Sequence, residues 1–179
     1  GSLVVLEANA SLRPILGGLD KPDGLIAWRG GLLASQEGGL YPLLHLRGDQ
    51  REGLFEGTNI EGIAVDGQFI YAVEDLKATG RLLRFDPATK TLTTLRTGLA
   101  EAEGVAVCPD GSLFYSEKGR SRVMRHRPGD GPDAVLIDGL RAPGFLACDS
   151  DGLWVAEDAT HHARILLIEP GGKTTVVLS

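Results

Sequence analysis

The sequence predicts an all-β fold: a β-propeller of four-stranded antiparallel blades, with four whole blades preceded by two outer strands. Three observations predict it. A short phrase around an anchoring glycine returns with a period near 40 residues. Every period holds the same order of short strands, rich in Val, Ile, Leu, Tyr and Phe and bounded by Gly, Pro and Asp. No long stretch carries a helical period.

The phrase reads Pro22-Asp23-Gly24-Leu25, Ile60-Glu61-Gly62-Ile63, Ala102-Glu103-Gly104-Val105 and Ala142-Pro143-Gly144-Phe145, with the glycines 38, 42 and 40 residues apart. An innermost strand follows each glycine. Next comes a hairpin turn: Arg29-Gly30-Gly31, Asp66-Gly67, Pro109-Asp110-Gly111 or Asp149-Ser150-Asp151-Gly152. Asp and Gly belong there because they tolerate left-handed φ. Second strands run over 32–35, 69–73, 113–116 and 153–156, third strands over 41–46, 81–85, 122–126 and 164–168, and fourth strands over 53–55, 91–95, 134–137 and 174–178. The blades are therefore roughly 24–57, 62–98, 104–140 and 144–179, forming one propeller domain over 1–179. Residues 3–17 match a third and a fourth strand, with Glu7 at the place of Asp86 and Glu169. The inner pair that would complete this half blade is missing, which predicts an open edge. Either the chain is a piece of a larger propeller, or self-association or a partner chain completes the ring.

Composition narrows the partners. Net charge is −6, and no basic patch is large enough to track a phosphate backbone, which argues against nucleic acid. No apolar run approaches the roughly 18 residues of a membrane span. Gly1-Ser2 reads as a cloning remnant, with no signal peptide after it. The expected partner is a small-molecule ligand. Cys108 and Cys148 fall at equivalent points of adjacent repeats and read as buried small apolar residues, with a disulfide or metal role second.

The phrases Pro22-Asp23-Gly24-Leu25, Glu103-Gly104-Val105-Ala106-Val107, Pro109-Asp110-Gly111-Ser112-Leu113-Phe114-Tyr115, Arg122-Val123-Met124-Arg125 and Leu153-Trp154-Val155-Ala156-Glu157-Asp158 carry a family likeness. The repeat resembles the six-bladed propellers of the SMP-30/gluconolactonase, strictosidine-synthase-like and NHL-repeat group. That group includes lactonases, lyases and binding scaffolds, so the likeness speaks to fold more than to activity. In its hydrolytic members an acidic or amide residue before the anchor glycine of several blades holds a divalent ion, usually calcium. The resemblance carries that role onto Asp23, Glu61 and Glu103; the fourth repeat departs, with Pro143 there, and no asparagine occupies an anchor position.

Read from the residues alone, three converging carboxylates would repel and raise one another's pKa unless a cation joined them, and calcium takes oxygen ligands. An acid before glycine also caps its turn, and blade duplication would repeat it. Glu37, Glu74, Glu117 and Glu157 close the second strands; a feature shared by every blade reads as architecture, accepting hydrogen bonds from the following turn. Their neighbours vary, and Asp75 and Asp158 are therefore the substrate-binding candidates. His161 and His162, in the loop after Asp158, are the catalytic candidates for a general base or proton shuttle, or else a solvated loop. His126 reads as a packed edge residue, and His45 as one with no acidic companion. The resulting expectation is a calcium-dependent, lactonase-like hydrolase. The alternatives are a non-catalytic binding scaffold and an inactive part of a split propeller.

Overall fold

The computed structural model describes residues 1–129, 131–160 and 162–179. The chain divides into two compact units, Gly1–Glu61 and Gly62–Ser179. In the first, β1 (Ser2–Leu6) and β2 (Leu12–Gly17) form an antiparallel pair, and β3 (Pro22–Trp28), β4 (Gly31–Gln36), β5 (Leu43–Arg47) and β6 (Gln50–Phe55) form a meander in that order. The second holds three further meanders. The first of them is β7 (Ile60–Val65), which crosses the division, with β8 (Ile70–Glu74), β9 (Gly80–Asp86) and β10 (Thr91–Leu99). Then come β11 (Val105–Val107), β12 (Leu113–Glu117), β13 (Arg122–Arg125) and β14 (Ala134–Ile137), and last β15 (Pro143–Cys148), β16 (Leu153–Ala159), β17 (His162–Ile168) and β18 (Thr174–Leu178). Four four-stranded blades and an outer pair are the architecture that the glycine period predicts. Helix among the described residues is one 3₁₀ turn, Lys118–Arg120.

The turns between first and second strands share a device. Asp66, Asp110 and Asp149 each turn one carboxylate oxygen onto backbone amides two or three residues ahead. The other oxygen accepts from a second-strand side chain or a neighbour: Tyr71 Oη at 2.9 Å, Ser112 Oγ at 3.0 Å and Trp154 Nε1 at 3.0 Å. Such local bonds make Asp a turn former. In the first blade Arg29 and Gly30 both take positive φ, 43° and 73°, the twist a two-residue hairpin needs.

The second unit buries the faces of its blades against each other. Val73, Leu82, Leu99, Val105, Tyr115 and Met124 form one interior between successive sheets, and Ala106, Phe114, Val123, Val155, Leu166 and Ile168 form the next. Each fully buried Val, Leu, Ile, Phe or Met among them contributes about 1.5–3 kcal/mol. Gly62 and Gly104 permit this approach: a Cβ on either would collide with the backbone of the following innermost strand, at Glu103 O and Gly144 O respectively.

Cys108 and Cys148 are corrected here. They form a disulfide, with Cα atoms 4.9 Å apart, which staples the ends of β11 and β15. Equivalent points of adjacent blades lie close enough for a bridge, and this outranks their role as small apolar residues. His45 is corrected too. Its Nδ1 lies 3.9 Å from Glu52, its cross-strand partner on β6, and its ring meets Trp28 edge-on at 4.7 Å. His126 is packed, as expected, and its Nδ1 lies 3.1 Å from Asp133.

Candidate functional site

Each innermost strand is entered through a non-glycine residue in the left-handed region: Lys21 (φ 50°), Asn59 (46°), Glu101 (47°) and Ala142 (50°). Of these types only Asn adopts that conformation readily, so the surrounding structure holds the others there. Two residues later stand Asp23, Glu61, Glu103 and Gly144. The fourth blade is thus one residue out of the register that its glycine suggests. Gly144, not Pro143, takes the acid's place, and Phe145 takes the anchor glycine's. Two further contacts agree. Ser35 Oγ donates to Glu61 O and Ser116 Oγ to Gly144 O, while the same hydroxyls accept from the amides of Gly24 and Gly104.

A second shift of one residue concerns the glutamates. Glu37 N, Lys118 N and Asp158 N donate to the carbonyls of Lys21, Glu101 and Ala142, so these three residues are equivalent. The residue before each is Gln36, Glu117 and Glu157. Their side chains accept from Asp20 N, Ala100 N and Arg141 N at 3.0, 3.1 and 2.6 Å. The architectural set is therefore Gln36, Glu74, Glu117 and Glu157, and Glu37 belongs with the variable set of Asp75, Lys118 and Asp158. Glu74, Glu117 and Glu157 are buried and each grips an arginine at the start of the third strand: Arg81, Arg122 and Arg164. Arg120 adds to Glu117. The first blade has no arginine there, and a neutral glutamine suffices.

In the first unit the carboxylates of Asp23, Glu37 and Glu61 converge, with one oxygen of each within 4.8 Å of the others. Lys21 donates to Glu37 Oε2 at 2.7 Å, which raises the lysine's pKa. Asp23 and Glu61, two of the expected metal ligands, are thus brought together, and Glu37 joins them.

Glu103, the third expected ligand, lies in the second unit. Its Oε1 accepts from Lys118 Nζ. Burial pushes the Glu103 carboxyl above its ordinary value, Lys118 pulls it down, and Asp75 and Asp158 push it up again. The substrate-binding candidates Asp75 and Asp158 are therefore within electrostatic reach of Glu103. The bare Gly144 gives Glu103 room, since a Cβ there would stand 3.0 Å from Glu103 Oε2. Sequence reasoning missed Lys118 in this group because it singled out only the acids, Asp75 and Asp158, among the variable neighbours of the glutamates. Of the catalytic candidates, His161 lies outside the described residues. His162 opens β17, and its side chain lies outside them as well.

The strictosidine synthase family profile matches residues 65–128. Strictosidine synthase of Catharanthus roseus is 30% identical over 131 residues, which is 66% of this chain and 36% of the relative. Strictosidine synthase-like protein 10 of Arabidopsis thaliana is 29% identical over 164 residues, which is 87% of this chain and 41% of the relative. The chain thus spans roughly two-fifths or less of these curated relatives. Among solved structures, one chain of a nidogen/laminin complex superposes with a TM-score of 0.80 at 17% identity, over 94% of this chain and 67% of its own. A protein described as a gluconolactonase follows at 0.74 and 19%, over 99% and 70%. These likenesses show the fold and place the chain in the β-propeller group that holds strictosidine-synthase-like, gluconolactonase-like and NHL-type propellers.

Proposed function

We propose that the chain contributes the ligand-binding mouth of a lactonase-like hydrolase, with calcium held by Asp23, Glu37 and Glu61. The observation that supports this is the convergence of those three carboxylates within 4.8 Å. An all-oxygen, anionic donor set fits a hard divalent cation. When bound, such an ion polarises a carbonyl and lowers the pKa of water. Within the second unit, taken by itself, Glu103 and Lys118 are the candidate proton-transfer pair. Burial raises the Glu103 carboxyl while the Lys118 ammonium favours its ionised form, and a carboxyl balanced between the two is suited to proton transfer. Asp75 and Asp158 would orient polar groups of a ligand bound beside Glu103 in the second unit. His161 and His162 keep the relay role only as the sequence suggests it. Blades from a second copy or another chain would complete the ring, and a solution mass twice that of the 19.0 kDa chain would support this.

Calcium at 100 times its dissociation constant should stabilise the chain by about 2.7 kcal/mol. Glu61→Gln should abolish that gain, and without calcium it should be neutral or stabilising. A melt unmoved by millimolar calcium rejects the metal reading. So does a Glu61→Gln variant destabilised equally in both conditions.

The second reading is a docking scaffold. The neutralisation of Glu103 by Lys118 favours it, as does the likeness to a propeller solved in complex with laminin. In that reading calcium adds no stability and the carboxylates only shape the surface.

A further inference from the structure

We propose that the second unit carries another binding site, for a small molecule bearing a phosphate or carboxylate, at the opposite end of β11 from Glu103. The proposal does not rest on the hydrolase reading. A cavity of about 580 Å³ opens there, lined by Tyr71, Arg84, Arg96, Asp110, Arg125 and His126 among others. That volume suits a metabolite-sized ligand. In a chain of net charge −6 it gathers three guanidinium groups from β9, β10 and β13.

The acids nearby do not cancel them. Asp110 is engaged chiefly by Ser112, whose amide and hydroxyl hold its carboxyl below the ordinary range, with a smaller pull from Arg125. Asp133 is buried behind the cavity, its side chain 2% exposed, and accepts from Tyr115 Oη at 2.9 Å and Arg127 N at 2.9 Å. It also lies 2.8 Å from Arg96 Nη2 and 3.1 Å from His126 Nδ1. Burial alone would raise the Asp133 carboxyl, but these donors hold it lower, and its charge is committed to Arg96 and His126.

Arg84 and Arg125 are left without an ion pair among the described residues. Arg84 lies over the Phe69 ring at 4.6 Å, and Arg125 lies over Phe114 at 5.9 Å and donates to Ser112 Oγ at 2.8 Å. These contacts orient both groups, whose charges reach Asp86 and Asp110 only at a distance, without an ion-pair contact among the described residues. Arg96, clamped by the carbonyls of Leu95, Arg127 and Gly131, keeps a buried Nε–H with no acceptor among the described residues. Guanidinium groups held in place bind oxyanions through paired, charge-assisted hydrogen bonds. Leu95 and Leu113 offer an apolar wall for the rest of the ligand.

The test titrates the intact chain with inorganic phosphate and, separately, with succinate, by calorimetry at constant ionic strength. We expect saturable binding of one equivalent of at least one probe. Phosphate alone binding assigns a phosphate ester, and succinate alone assigns an organic acid. Arg84→Gln and Arg125→Gln should each weaken binding about tenfold, the size of one charged hydrogen bond, with the ligand-free melt unchanged. Lys173→Gln, an exposed change elsewhere, should leave affinity as it was. Absence of saturable binding of both probes overturns the proposal. Binding that survives both arginine substitutions overturns it too.

Discussion

Asp23, Glu37 and Glu61 in the first unit, and Glu103, Lys118, Asp75 and Asp158 in the second, occupy the same two repeat positions. One is the residue before the anchor glycine, and the other is the residue after the buried carboxamide or glutamate. Their charges differ. The first unit puts Glu37 where the third blade has Lys118, so three carboxylates meet within 4.8 Å in one place and a carboxylate meets an ammonium in the other. A constant frame thus carries a variable charge. The frame is what Gln36, Glu74, Glu117 and Glu157 provide, and the single position after them decides whether a neighbourhood attracts a cation or contains its own.

The comparison breaks most severely if the frame itself is removed. Glu117 is fully buried and pairs with both Arg120 and Arg122, and Arg120 also donates to the Gly98 carbonyl. Glu117→Gln should therefore cost about 3 kcal/mol or more in denaturant unfolding, as breaking a buried pair does. A cost near zero would mean the frame is not what holds Lys118 in place. Next in size is the staple, which the second unit has and the first lacks. It closes a loop with a sequence separation of 40. Its reduction, or the double Cys108→Ser and Cys148→Ser variant, should lower stability by about 3–4 kcal/mol, measured by melts with and without reductant.

Lys118→Met makes a sharper comparison, with an expected effect on the order of 1 kcal/mol because Lys118 is partly exposed and screened. Burial first, then Asp75 and Asp158, raise Glu103, and only Lys118 lowers it. An acid raised by folding contributes stability that is full below its unfolded pKa and lost as pH rises through the folded value. Lys118→Met lifts the folded value further, so its penalty against the parent should grow as pH rises above the ordinary carboxylate range, through the parent's folded value towards the variant's. A penalty independent of pH would show that Lys118 acts through packing alone. The smallest effect is expected from Lys21→Met. The lysine is exposed on Glu37, so the calcium-free melt should not move, while calcium binding should tighten as a competing charge leaves.

The blades were legible because turn chemistry and strand order repeat at every level, and Asp66, Asp110 and Asp149 do in the structure what their residue types suggest. The site was legible only to within a residue. Gly144 was taken for an anchor because it is a glycine, but register here is set by the left-handed residue two positions before the acid, and Ala142 gives no sign of that in its type. Glu37 was grouped with the buried glutamates for the same reason, since Gln36 performs their hydrogen bonding without their charge. The disulfide was within reach, because equivalent positions on neighbouring blades are spatial neighbours.

The staple also sets how the chain answers to force. Without it, the segment from Cys108 to Cys148 could be drawn out to roughly 130–145 Å at the reach of an extended backbone. With it, the two ends stay 4.9 Å apart and that length is withheld from any pull applied outside them. A stretched molecule would therefore extend in a short step under oxidising conditions and in a longer one after reduction. The third-blade outer strands and the turn carrying Asp133 fall inside the withheld loop, while β18 lies beyond it and is free to peel away first.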